Sequence, residues 1–129
     1  MLTMDPIIAV KDVELSSRWY QSVLGCKSMH GGKEFDILVS ENEDILLCLH
    51  RWGDHHHPTM IDPTITAGNG LILYLRTEDM GSIRQSIEAM GWHVEEEIHL
   101  NPNSGKKEFS IRDPDGYYLT ITEFHQYKG

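Results

Sequence analysis

Cysteine is scarce: the 129 residues hold two, Cys26 and Cys48. They match neither the paired spacing of a zinc site nor a redox motif. Both are therefore read as free thiols of a reducing compartment rather than as a disulfide framework. Basic residues are also few, 11 Lys and Arg against 20 Asp and Glu, for a net charge of −9. No basic patch is available for phosphates, which sets aside nucleic acid and anionic membrane surfaces as partners. Long apolar runs are missing. Nothing approaches the ~20 consecutive apolar residues of a membrane span. The first residues lack the charged-then-apolar pattern of a secretory leader. A cytoplasmic protein is expected.

What is present suits a globular chain. The hydrophobic fraction is 40% and the charged fraction 24%, ordinary values for one domain with its own core. Residues 6–10 form a short apolar run and read as a strand. Asp12 is placed to cap a helix over residues 13–24, with Trp19, Tyr20, Val23 and Leu24 on its apolar side and Gly25 as its stop. Residues 27–30 and 35–39 read as strands around Gly31-Gly32, and residues 45–50 as another. The order is β-α-β-β-β.

The same order then returns. Residues 71–76 alternate Leu71, Leu73 and Leu75 with Ile72, Tyr74 and Arg76, a strand pattern. Asp79 is expected to cap a second helix with Met80, Ile83, Ile87 and Met90 as its apolar stripe and Gly91 as its stop. Residues 93–100, 107–112 and 117–123 complete the set. Asp113-Pro114-Asp115-Gly116 supplies the last turn: Pro114 pre-sets φ and Gly116 accepts φ > 0. The intervals Asp12 to Asp79 and Gly25 to Gly91 differ by a single residue, so the chain reads as two copies of one architecture. The fold class is α+β: two βαβββ modules forming a curved mixed sheet around a cup-shaped cavity, with helices on the outer face. Module one covers about residues 3–50 and module two about 70–124 of a single domain, 1–129. Between them lies a long loop, residues 51–69, holding Trp52 and three consecutive histidines, His55, His56 and His57. A loop of this length is usually functional or a linker. Consecutive residues do not all face one centre, so a rim or lid is expected there rather than a metal site.

Ile8-Ala9-Val10-Lys11-Asp12-Val13-Glu14, Trp19-Tyr20 through Leu24-Gly25, and Asp113-Pro114-Asp115-Gly116-Tyr117 together resemble the vicinal oxygen chelate superfamily, which includes glyoxalase I, bleomycin-resistance proteins and extradiol dioxygenases. The resemblance spans essentially the whole chain. It implies a ligand cup and, in metal-dependent members, a divalent metal held by His and Glu at four symmetric positions. In this sequence those positions fall on about Asp5, Cys48, Ile72 and Thr120. Ile72 has no donor atom, and Thr120 stands where a carboxylate is expected. The resemblance is closest in type to the metal-free, bleomycin-resistance-like members.

The expectation is therefore a small-molecule-binding protein, a homodimer, with no cofactor. Its ligand-binding candidates are Cys48, His50, Trp52, Tyr74, Arg76, Tyr118 and Thr120. His50 and Glu108 are candidate catalytic groups; Glu108 opens a strand after Lys106-Lys107 and is placed to act as a base. Arg76, if buried, needs a carboxylate such as Glu108 or Asp5, or an anionic ligand. Glu95-Glu96-Glu97 reads as a solvated edge device. The alternative is a metal-dependent lyase, isomerase or dioxygenase with a displaced divalent metal site drawing on His50, Glu108, Glu123 or a loop histidine.

Overall fold

The structure, a computed structural model, describes residues 3–54, 57–66 and 68–124. The chain divides into two compact units, Met1–Ala67 and Gly68–Gly129. Each unit has one α-helix and one four-stranded mixed sheet among the described residues.

The first unit runs β1 (Ile7–Val10), α1 (Val13–Leu24), β2 (Lys27–Ser28), β3 (Phe35–Val39) and β4 (Ile45–Arg51). The strand order is β1-β4-β3-β2, with β1 parallel to β4 and the remaining pairs antiparallel. Asp12 Oδ1 accepts the Leu15 N–H at 3.0 Å and so satisfies one of the free donors at the start of α1. Gly25 ends the helix at φ 72°, a left-handed position that carries no steric cost for glycine. Val13, Tyr20 and Val23 are buried on the inner side of α1. Ser17 on that side reaches Asp36 of β3, which places Asp36 with Leu38 and Leu49 under the helix. By alternation and register, Phe35, Ile37, Cys48 and His50 share the opposite face.

β2 is shorter than the four residues expected. Its paired residues end at Ser28, one more bond runs from the Met29 N–H to the Ile37 carbonyl at 2.8 Å, and the chain then bends through Gly31 and Gly32, at φ 73° and 128°. Asp36 explains the bend: its Oδ1 takes the Gly31 N–H at 2.6 Å and pulls the backbone out of the ladder.

The second unit repeats the plan with β5 (Leu73–Thr77), α2 (Met80–Met90), β6 (Val94–Asn101), β7 (Lys106–Arg112) and β8 (Tyr118–Glu123), in strand order β5-β8-β7-β6. β5 is parallel to β8 and the rest are antiparallel. It begins later than the alternation of residues 71–76 suggests, because the Leu71 N–H closes a turn onto the Gly68 carbonyl at 2.9 Å. The expected turn forms at residues 113–117. Asp113 Oδ1 accepts from the N–H groups of Asp115 and Tyr117, and Gly116 sits at φ 92°.

Two expectations for α2 need correction. The Asp79 side chain makes no capping bond; its backbone N–H donates to Thr77 Oγ1 at 3.0 Å. The apolar stripe also narrows to Ile83 and Ile87, since Met80 is half-buried and Met90 exposed. Phe109, Ile111, Leu119 and Ile121 are fully buried and share one face of the sheet. Glu108, Ser110, Thr120 and Thr122 point the other way, and all four are buried too.

Candidate functional site

The polar face of the second sheet concentrates the most chemistry. Glu108 lies in β7, cross-strand from Thr122 on one side and His99 on the other. Its side chain is 10% exposed. Burying a carboxylate is costly unless donors surround it, and here they do. The Tyr74 hydroxyl donates to Oε2 at 2.9 Å, and the Asn101 amide nitrogen donates to Oε1 at 3.2 Å. Beside this group, the Ser110 and Thr120 hydroxyls bond each other at 2.9 Å. The arrangement offers a held, oriented acceptor flanked by hydroxyls that both donate and accept.

β6 contributes to this face through two irregularities. Its register shifts between Val94 and Glu96 and again between Glu96 and His99. Residues three apart in a regular strand face opposite ways. The second shift cancels that alternation, as an extra residue in a bulge does. Glu96 therefore pairs with Ser110, and His99 pairs with Glu108, on one face. His99 Nε2 lies 3.3 Å from Glu96 Oε1 and 3.8 Å from Glu108 Oε1. His99 and Asn101 escaped the sequence reading because strict alternation conceals a bulge.

The other expected residues distribute as follows. Tyr118 lies along the same face, its hydroxyl 3.5 Å from Glu96 Oε2 and its ring under the Arg112 guanidinium. Arg76 is exposed rather than buried, and its guanidinium lies 5.6 Å from the centre of the Phe124 ring. Glu123 is exposed, and its Oε1 accepts the Lys107 N–H at 2.7 Å. Thus Tyr74, Thr120, Tyr118 and Glu108 come together on one face, whereas Glu123 faces the opposite way.

Within the first unit, Cys48 and His50 are both buried on the face turned away from α1. Burial pushes the Cys48 thiol up, and the charges of Asp5 and Asp36 add to that. His50 Nδ1 lies 2.8 Å from the Arg51 carbonyl oxygen. A carbonyl only accepts, so this nitrogen carries the proton. The His50 ring contacts Phe35 and His57, the latter with centroids 5.0 Å apart. Trp52 is half-buried just after β4, its backbone N–H donating to the Val10 carbonyl at 3.3 Å. His55 and His56 lie outside the described residues.

A model of the Glyoxalase/Bleomycin resistance protein/Dioxygenase superfamily matches residues 3–121. The chain belongs to that superfamily. Its fold recurs in solved structures of low sequence identity. A protein of unknown function from Agrobacterium tumefaciens is 22% identical, with 97% of this chain and 95% of that one covered and a TM-score of 0.76. A virulence protein from Salmonella typhimurium is 20% identical over 97% and 98% of the two chains, TM-score 0.72. A lactoylglutathione lyase from A. tumefaciens is 18% identical over 95% and 92%, TM-score 0.70. No curated protein matches the sequence. Among the described residues, no helix is long and apolar enough to cross a membrane.

The superfamily's metal-dependent members raise the question of whether these residues fit a metal. At two of the four positions expected from the resemblance they do not. Ile72 offers no donor, and Thr120 offers a neutral hydroxyl, hydrogen-bonded to Ser110, where a carboxylate is expected. Among the described residues, no group of three or more His, Cys, Asp and Glu side chains is arranged to hold a metal ion.

Proposed function

We propose that this superfamily member binds a small organic molecule on the polar face of its second sheet, without the metal of its metal-dependent relatives. The observation that carries this reading is Glu108, a buried carboxylate held by Tyr74 and Asn101 beside the Ser110–Thr120 hydroxyl pair. A carboxylate fixed in this way selects a ligand that brings an N–H, an O–H or a positive charge. Aromatic side chains on the same face, Tyr74 and Tyr118, suit a ligand with a flat or apolar body. The mechanism is sequestration, as in the bleomycin-resistance type, rather than a reaction. The same reading takes the protein as a cytoplasmic homodimer; light scattering on the purified chain tests the dimer.

The test is a thermal-shift and calorimetric screen of small organic amines, amides and phenols against the wild type, Glu108→Gln and Tyr74→Phe. A hydrogen bond to a charged group contributes ~1.5–3 kcal/mol. Glu108→Gln is thus expected to weaken binding roughly 10- to 100-fold, and Tyr74→Phe less. Equal affinity in Glu108→Gln and the wild type would refute the assignment of the site.

A further inference from the structure

We propose that Asn69 is a site of spontaneous covalent modification. Its side-chain amide is lost through attack by the Gly70 backbone nitrogen, which leaves aspartate or isoaspartate in the turn that leads into β5. The inference is independent of the ligand site.

Asn69 and Gly70 are the central residues of the turn that the Leu71 N–H closes onto the Gly68 carbonyl at 2.9 Å. Gly70 sits at φ 87°, the arrangement of a type II turn. Both central residues are exposed. Glycine puts no side chain beside the attacking nitrogen, and even a Cβ at this position would meet nothing within 4 Å. Among the described residues, neither the Asn69 amide nor the Gly70 N–H has a hydrogen-bond partner. The side chain is therefore free to turn onto the backbone nitrogen. The step needs only water. The Gly70 nitrogen gives its proton to hydroxide and bonds to Cγ of Asn69. The bond from Cγ to Nδ2 breaks, and that nitrogen takes a proton from water and leaves as ammonia. Water then adds to either carbonyl carbon of the cyclic imide and opens it. Opening on one side gives aspartate. Opening on the other gives isoaspartate, in which the chain runs through the former side chain.

The chain holds three other asparagines, and the surroundings of each oppose the same step. Asn101 precedes Pro102, whose nitrogen has no proton to give up. Asn42 precedes Glu43, whose N–H is bound to the Ser40 carbonyl at 2.9 Å. Asn103 precedes Ser104, which sets a side chain beside the attacking nitrogen. Its turn is also tied by bonds from the Asn103 N–H to Asn101 Oδ1 and from the Gly105 N–H to the Asn101 carbonyl. Modification at Asn69 has two effects on the chain. Each product adds negative charge to a net charge of −9. Isoaspartate also adds a backbone carbon between Gly68 and Leu71, so the bond that closes this turn and sets the start of β5 no longer spans the same atoms.

The experiment holds the full chain at mildly alkaline pH and follows the wild type, Asn69→Gln and Gly70→Ala over time. Ion exchange separates the acidic form, and peptide mass mapping with fragmentation that distinguishes isoaspartate from aspartate locates it. In the wild type the amide loss should map to Asn69, severalfold ahead of Asn103, and should quicken as pH rises. The isoaspartate form should melt at a lower temperature than the unmodified chain. Asn69→Gln should stay a single species over the same time, and Gly70→Ala should convert severalfold more slowly. Intact Asn69, loss at Asn42 or Asn103 ahead of it, or an undiminished rate in Gly70→Ala overturns the assignment. An isoaspartate form with an unchanged melting temperature overturns the effect on the turn. The order of loss among the asparagines is read in the wild type, so it decides the matter even if a variant does not fold.

Discussion

Asp36 accepts hydrogen bonds from the Ser17 and Ser28 hydroxyls and from the N–H groups of Gly31 and Ile37. Burial by itself would raise this carboxyl, but those donors outweigh it and hold it below the usual carboxylate range. A carboxylate depressed in the folded state stabilises the fold above its unfolded value, about 3.9 for aspartate. That contribution is lost as pH falls through the lower folded value. Asp36→Asn is expected to cost about 1–3 kcal/mol at neutral pH and to flatten the loss of stability below about pH 4. Urea unfolding at several pH values measures both effects. An acid limb as steep in Asp36→Asn as in the wild type would contradict this role. Tyr74, Glu108, Tyr118 and Thr120 were named from the sequence and share one sheet face, while Arg76, named with them, is exposed. Asp36, His99 and Asn101 stayed hidden for different reasons. Asp36 looks like any polar residue in a strand until Ser17 of the helix meets it. His99 and Asn101 owe their direction to bulges, which leave no fixed signature in residue type.

Both helices were legible from their ends because the glycine stops and the capping aspartates are local chemistry. The two aspartates nevertheless differ. Asp12 takes the Leu15 N–H, whereas Asp79 makes no side-chain cap. Asp12→Ala should destabilise the chain by ~1 kcal/mol and Asp79→Ala by clearly less; a reversed order in denaturant midpoints would show that the caps are misassigned. Strand bounds were less legible, since β2 and β5 are set by turns that pull the backbone out of the ladder. Gly68 illustrates how tightly one such turn is built. It sits at φ 71°, and a Cβ there would lie 2.6 Å from the Tyr117 ring. Gly68→Ala combines that clash with left-handed strain and should cost ~1–3 kcal/mol. Gly70→Ala, also at positive φ but with nothing within 4 Å, should cost less. Melting temperatures of the two variants give the comparison.

At the scale of the whole chain, the internal repeat was the strongest signal in the sequence. The two sheets bear it out strand for strand, with orders β1-β4-β3-β2 and β5-β8-β7-β6. The superfamily match over residues 3–121 agrees with it. Function is less legible because the repeat conserves an architecture while each unit fills its face away from the helix differently. The first carries Cys48, His50 and Phe35 there, and the second Glu108, Ser110 and Thr120. The most direct test of the account is chemical-shift mapping on the isotope-labelled full chain with the tightest molecule from the screen. Perturbations should centre on Tyr74, His99, Asn101, Glu108, Ser110 and Thr120, and should fade in Glu108→Gln. Perturbations confined to residues away from that face, and unchanged in Glu108→Gln, would contradict it.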